Sequence, residues 1–153
     1  MGIISGLLSK LGLEHLAPAR EVLSVFILDD DTLRHEWFAR QFKGDRLDVA
    51  ADPAHAVELL SANRYDLIFL DHDLLPEHYH SDALDDERTG YAVARWLSER
   101  PAAQADSTVV IHTRNADGAL RMAELLRRQG RPAEHVPFHL LEPRIKHLRR
   151  NRG

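Results

Sequence analysis

The sequence predicts an α/β domain: a five-stranded, doubly wound parallel sheet preceded by an extra N-terminal helix. Three observations carry this. Short continuous apolar runs, the mark of strands buried on both faces, alternate with segments of helical period. The alternation repeats five times, the pattern of a parallel sheet covered by helices on both sides. Three of the runs end directly in polar strings: Asp29-Asp30-Asp31 after VFIL, Asp71-His72-Asp73 after DLIFL, and His112-Thr113-Arg114-Asn115 after TVVI. Open α/β sheets bind ligands beyond the carboxyl ends of their strands, so the three strings are expected to meet at one pocket.

Residues 1–20 form the first unit. Ile4, Leu7, Leu8 and Leu11 fall at helical spacing, which predicts an amphipathic helix. A secretory leader would need a basic start and a small-residue cleavage site, and a myristoylation signal would need Ser or Thr where Gly6 stands. The helix is therefore expected to cover an apolar patch or to make a dimer contact. Pro18 breaks the chain, and residues 21–153 make the core domain.

Within that domain Val22–Leu28 reads as the first strand. Asp31 or Thr32 caps a helix that runs to about Phe42 and carries Trp37, Phe38 and Phe42. Leu47–Ala51 is a short second strand. Asp52-Pro53 starts the next helix with an acceptor at the cap and proline in the first turn, and Ala56, Val57, Leu59 and Leu60 supply its apolar face. Asp66–Leu70 is the third and most hydrophobic strand, hence central. Thr89 or Gly90 opens a helix through Val93, Trp96 and Leu97 that stops at Arg100-Pro101. Ser107–His112 is the fourth strand, Ala116–Gln129 a helix ended by Gly130, Ala133–Phe138 the fifth strand, and Glu142–Arg150 a basic terminal helix. Residues 76–89, PEHYHSDALDDERT, interrupt the rhythm. Turns at this place are usually a few residues long, and longer ones are often functional; with His78, His80, Asp82, Asp85, Asp86 and Arg88 the insertion could form a lid.

Composition narrows the function. The 153 residues suit one domain with a real core. A net charge of −4 gives no support to a general nucleic-acid coat. The absence of cysteine excludes disulfides, thiolate zinc sites and cysteine nucleophiles. No apolar stretch is long enough to span a bilayer, and a cytoplasmic location is expected.

The chemistry is expected at the strand ends. Asp30, Asp71 and Asp73 would lie on neighbouring ends, with Asp29 able to orient a metal-bound water. An oxygen-only set of this kind suits Mg²⁺ or Mn²⁺, with waters and a substrate phosphate completing the shell; capping alone would need one aspartate, not five carboxylates. His112 is the candidate general acid or base. Thr113 and Arg114 are natural donors to phosphate oxygens, Asn115 caps a helix whose N-terminus favours an anion, and His139 faces the same pocket. His72 points opposite to Asp71 if the strand persists. With His78 and His80 it could instead ligate zinc, although the loop lacks the fixed helical spacing of strong zinc motifs. His15, His35, His55, His135 and His147 read as solvated. Gly118 either permits close approach of a ligand or only starts a helix. The basic tail RIKHLRRNRG is a solvated helix end complementing the helix dipole, or else a local nucleic-acid contact.

Asp29-Asp30, Asp71 and Thr113 at their strand ends resemble the receiver domains of two-component response regulators (the CheY-like fold, strand order 2-1-3-4-5). The resemblance covers about residues 22–150. It implies that the paired acids and Asp71 hold Mg²⁺ and that Asp71 accepts a phosphoryl group. The chain departs from receivers in three places. Phe138-His139-Leu140 stands where they carry a lysine after strand five, LDHDLLPE leads into a long polar insertion, and strand four ends in HTRNADG. With DHDL, TGYAVARWL and HTRNADGALRM, the chain is similar to a narrower branch, the cyclic-phosphate-processing receiver-like domains. That similarity implies metal-dependent binding or hydrolysis of a cyclic phosphate on a nucleotide or ADP-ribose-type compound. The expected partners are then a phosphorylated small molecule or an RNA or nucleotide terminus. The receiver resemblance also implies that Asp73 reaches the metal through its backbone oxygen.

Overall fold

A computed structural model describes residues 19–75 and 87–152. The N-terminal helix expected over residues 1–16, and the insertion from residue 76 to residue 86, lie outside the described residues. The elements are β1 (Ser24–Leu28), α1 (Thr32–Gln41), β2 (Arg46–Ala50), α2 (Pro53–Ala62), β3 (Leu67–Leu70), α3 (Gly90–Ser98), β4 (Thr108–Ile111), α4 (Ala116–Arg128), β5 (Ala133–His135) and α5 (Leu141–Arg150). A single 3₁₀ turn, Phe138–Leu140, leads into α5. The five strands are all parallel and lie in the order β2-β1-β3-β4-β5.

Side chains alternate between the two faces of a strand, and the core divides accordingly. Phe26, Leu28, Ile68, Leu70, Val109 and Ile111 face one cluster, closed by Ala56 and Leu60 of α2, Val93 and Leu97 of α3, and Met122 and Leu126 of α4. Val25, Ile27, Leu67, Phe69 and Val110 face the other, closed by Phe38 of α1 and by Leu141, Ile145 and Leu148 of α5. The helices start where the caps place them. Asp31 accepts from the amides of Leu33 and Arg34 at 2.9 and 3.2 Å, Asp52 from His55 at 2.9 Å, and Asn115 from Gly118 at 2.8 Å. Each satisfies an amide that the first helical turn leaves without a partner.

Two strand boundaries differ from expectation by more than one residue. The first strand starts at Ser24, and Val22 is 64% exposed. The fifth strand stops at His135, not Phe138. Val136 makes one more ladder bond, to Ile111 O at 2.9 Å; Pro137 has no N–H with which to continue.

The register fixes the strand ends. Leu28 lies opposite both Ala50 and Leu70, and Leu70 opposite Ile111. The ladder then runs one residue further: Asp29 donates to Ala50 O at 3.0 Å, Asp71 to Leu28 O at 2.9 Å, and His112 to Leu70 O at 2.9 Å. Asp29, Asp71 and His112 thus occupy one level of the sheet, on the face that carries Ile27, Phe69 and Val110.

At the opposite end of the sheet the basic C-terminus is tied to the body. Arg149 pairs with Asp45, and Arg152 pairs with Asp66 at 3.1 Å and donates to its carbonyl at 2.8 Å. Arg144 pairs with Glu134 and Lys146 with Glu142. Most of the tail's cations are therefore held within the chain, which favours the structural account of the basic patch over a nucleic-acid contact. The Asp45 carboxylate is fully enclosed. Burial works to raise its pKa. Bonds from Arg149, the Leu23 amide and Arg20, with the charge of Arg149, outweigh that and hold it below 3.8. An acid with a depressed pKa stabilises the fold above its ordinary pKa and stops doing so as pH falls through the folded value. Asp45→Asn is expected to cost about 1–3 kcal/mol at pH 7. The gap from wild type should narrow below about pH 4, as urea unfolding across pH will show.

Candidate functional site

The site grows from the row of strand ends. Asp29, Asp71 and His112 project toward α1, and one ligand atom from each lies within 4.8 Å of the others. Asp29 is fully buried and Asp71 is 2% exposed. Two carboxylates this close and this dry repel each other unless positive charge stands beside them.

Two cations do. Arg34, in the first turn of α1, reaches back to the strand ends, because helical side chains lean toward the N-terminus of their helix. Its Nε lies 3.3 Å from Asp29 Oδ2 and its Nη2 3.3 Å from Asp71 Oδ2. Its Nε also lies 3.5 Å from Asp31 Oδ2. The guanidinium carbon sits 5.9 Å from the centre of the Phe138 ring, a cation–π distance. On the other side of the pair, His112 donates Nε2–H to Asp29 Oδ2 at 2.7 Å. The proton belongs to Nε2 because an ionised carboxylate can only accept. The His112 ring packs edge-on against Phe38, centroids 5.4 Å apart, and its Nδ1 is buried without a hydrogen bond.

The two carboxyls are driven apart in acidity. Burial works to raise Asp29, but the hydrogen bond and charge of His112, the Asp31 amide and the Arg34 charge hold it below 3.8. Burial also raises Asp71, and there it wins, reinforced by the charge of Asp29 against the pull of His112, Arg34 and the Thr113 hydroxyl. Asp71 Oδ1 accepts from the His72 amide at 2.8 Å; Oδ2 has no hydrogen bond among the described residues. A pair whose environments separate its acidities is the usual arrangement of an acid–base site.

The other predicted residues are placed as follows. Asp30 is half-buried, one residue beyond Asp29. The Asp73 carboxylate turns to the opposite face, where His72 Nδ1 meets it at 2.8 Å and Asn115 Nδ2 stands 3.5 Å from both. Thr113 is buried, accepts from the Asn115 amide at 3.1 Å and pulls the Asp71 pKa down. Arg114 is exposed on the β4–α4 turn, and His139 is exposed in the 3₁₀ turn. The structure therefore brings together Asp29, Asp71, His112 and Thr113, and gathers His72, Asp73 and Asn115 on the α4 side. Of the histidines read as solvated, His35 is half-buried and its Nε2 bonds Asp29 O at 2.6 Å, while His135 is exposed and its Nε2 also bonds Thr113 O at 2.9 Å.

Sequence reasoning missed Arg34. The signal was available: a cation in the first turn opposes the helix dipole, and nearby carboxylates must hold it there. It also left Gly90 unexplained and Gly118 undecided. A β-carbon on Gly90 would stand 1.7 Å from Asp71 O, and one on Gly118 2.7 Å from the His72 ring. Both helices approach the Asp71–Asp73 backbone as closely as they do because these positions lack side chains.

Two outcomes follow for the metal-free protein. A raised pKa means that ionised Asp71 costs stability at neutral pH. Asp71→Asn should therefore raise the melting temperature at pH 7, and the gain should vanish as pH falls below 3.8, the ordinary value, where both states carry the proton. Gly90→Ala should cost about 1–3 kcal/mol in urea unfolding, the usual penalty for a forced core clash.

Comparison with known proteins agrees with this geometry. Solved receiver domains share the fold. A signal receiver domain of an HD domain-containing protein from Pseudomonas fluorescens Pf-5 is 13% identical, with a TM-score of 0.62 over 86% of this chain and 94% of its own. A CheY-like receiver domain protein from Methanospirillum hungatei JF-1 is 18% identical, TM-score 0.58, over 87% of this chain and 100% of its own. A response regulator from Burkholderia pseudomallei, solved with a phosphorylated aspartic acid, calcium ion and citrate, is 16% identical, TM-score 0.54, over 86% and 73%. No curated protein matches the chain. The model of the cyclic-phosphate processing receiver domain matches residues 24–128, a span that holds all three strand-end strings and more than half of the sequence. The chain belongs to the cyclic-phosphate processing receiver domain family.

Proposed function

We propose that this domain binds, and with a divalent cation hydrolyses, a cyclic phosphate on a nucleotide or ADP-ribose-type compound. The observation that carries the reading is that the family match includes Asp29–Asp31, Asp71–Asp73 and His112–Asn115, which the sheet register aligns at one edge. Asp71 Oδ2, buried and without a hydrogen bond among the described residues, and the neighbouring Asp29 form a hard-oxygen donor set, and Asp30 follows Asp29 in the chain. That set fits Mg²⁺ or Mn²⁺, which Asp29, Asp30 and Asp71 would hold, with the Asp73 backbone beside them. Such an ion supplies positive charge for a phosphate oxygen and lowers the pKa of water.

The chain's own groups do the rest. Asp29 fixes the His112 ring by accepting Nε2–H, and the enclosed ring in turn holds the Asp29 carboxylate at the site. Thr113, Arg114, Asn115 and the N-terminus of α4 offer hydroxyl, guanidinium and amide donors to phosphate oxygens. His139 stands on the adjacent turn as a further contact. Water attack at phosphorus needs no covalent intermediate and is the simpler route.

A second reading is a phosphoacceptor receiver. The Thr113 hydroxyl, which pulls the Asp71 pKa down, favours it. The expected lysine after β5 is absent, and Phe138–Leu140 occupies its place.

The test is ring opening of nucleoside 2′,3′-cyclic phosphates and of ADP-ribose cyclic phosphate with Mg²⁺, Mn²⁺ or a chelator. Metal-dependent turnover is expected, lowered about 10²-fold or more in Asp29→Asn and Asp71→Asn. Absence of both turnover and binding across the panel would overturn the reading. A mass gain from a small phosphodonor with Mg²⁺, abolished by Asp71→Asn, would establish the second.

A further inference from the structure

We infer that Arg34 is an internal stand-in for the divalent cation: its guanidinium holds the Asp29–Asp71 gap when no metal is bound, and metal entry displaces it. The inference rests on the metal-dependent reading above and adds the control of that site.

Three observations carry it. Arg34 lies against both carboxylates at once, 3.3 Å from Asp29 Oδ2 and 3.3 Å from Asp71 Oδ2, in the group whose ligand atoms are close enough to share one ion. A guanidinium and a divalent cation cannot both sit there. The contacts are also loose. Good charge-assisted N–H···O⁻ bonds are about 2.7–2.9 Å long, and at 3.3 Å the guanidinium leaves Asp71 Oδ2 without a hydrogen bond among the described residues. Arg34 thus supplies charge but not coordination, so a metal that binds carboxylate oxygen directly has an unmet demand to satisfy. Finally, Arg34 is not sealed in. Its side chain is 16% exposed, it springs from the first turn of α1 where the helix dipole gives a cation nothing, and its outer face rests on the Phe138 ring. His112 is fully enclosed and remains with Asp29.

Displacement has a consequence for substrate. A cyclic phosphate is an anion and is repelled by two bare carboxylates. With the metal between the acids, the freed guanidinium becomes an additional anion ligand at the pocket, suited to phosphate by its fork of donors. Metal would then bind first and phosphate second.

The test uses the full chain and two probes. In calorimetry, Arg34→Gln is expected to bind Mn²⁺ about 5-fold or more tighter than wild type, because the internal competitor is gone. Without metal this variant should melt below wild type, and Mn²⁺ should stabilise it more than it stabilises wild type. In wild-type protein labelled with ¹⁵N-arginine, the Arg34 Nε–H resonance should move as Mg²⁺ is added and stop moving when the metal site saturates. This second readout holds even if the variant fails to fold. Metal binding to wild type with an unmoved Arg34 resonance, or equal or weaker Mn²⁺ binding by Arg34→Gln, would overturn this inference and leave the metal-dependent reading standing. Failure of wild type to bind either ion would overturn both.

Discussion

The structure depends on one rung of hydrogen bonds. Asp29, Asp71 and His112 each extend the ladder by a single residue past the end of their strands, so backbone geometry alone sets them side by side at about the 4.8 Å spacing of adjacent strands. Because all three keep the strand phase, all three point to the α1 face. The repulsion between the two acids is therefore built into the sheet and cannot relax by a small backbone shift. What surrounds them is a set of answers to it: a histidine from β4, an arginine from α1, and a proton drawn more readily to Asp71 than to Asp29.

The same alternation separates two kinds of polar residue that the sequence places side by side. Asp71 faces α1 with His112 and Arg34. His72 faces α3 and α4, where Asp73 and Asn115 bond or flank its ring. That second group orders the loop after β3 and the start of α4. It brings the Gly90 amide to His72 O at 2.8 Å and presses the His72 ring against Gly118. One strand end thus serves two tasks: its Asp71 side carries charge, and its His72–Asp73 side holds the backbone from which Asp71 projects.

Much of this was legible in the residues. Apolar runs such as LIFL and TVVI, the capping pair Asp52-Pro53 and the opposed phase of Asp71 and His72 report local periods and caps, and these survive packing. Position at a strand end survives too, so Asp29 and Asp71 were both expected at the site, but the residues alone set Asp30 and Asp73 beside Asp71 and gave Asp29 only a water to orient. Arg34 and His35 were not, since their contacts depend on how α1 is phased over the sheet, which the spacing of Trp37 and Phe38 indicates only coarsely. Asp73 looked equivalent to Asp71 by composition; its partner His72 becomes visible only once the chain leaves the strand and turns. The end of β5 could have been read from Pro137, which removes a ladder donor where the apolar run continues.

The account reduces to the claim that Asp29 and Asp71 together form the seat of a divalent cation. The most direct measurement is the anomalous difference density of a crystal soaked in Mn²⁺. The account predicts one dominant peak bonded to carboxylate oxygens of both Asp29 and Asp71. A peak coordinated only by other residues, or no peak at this strand edge under saturating Mn²⁺, would contradict it.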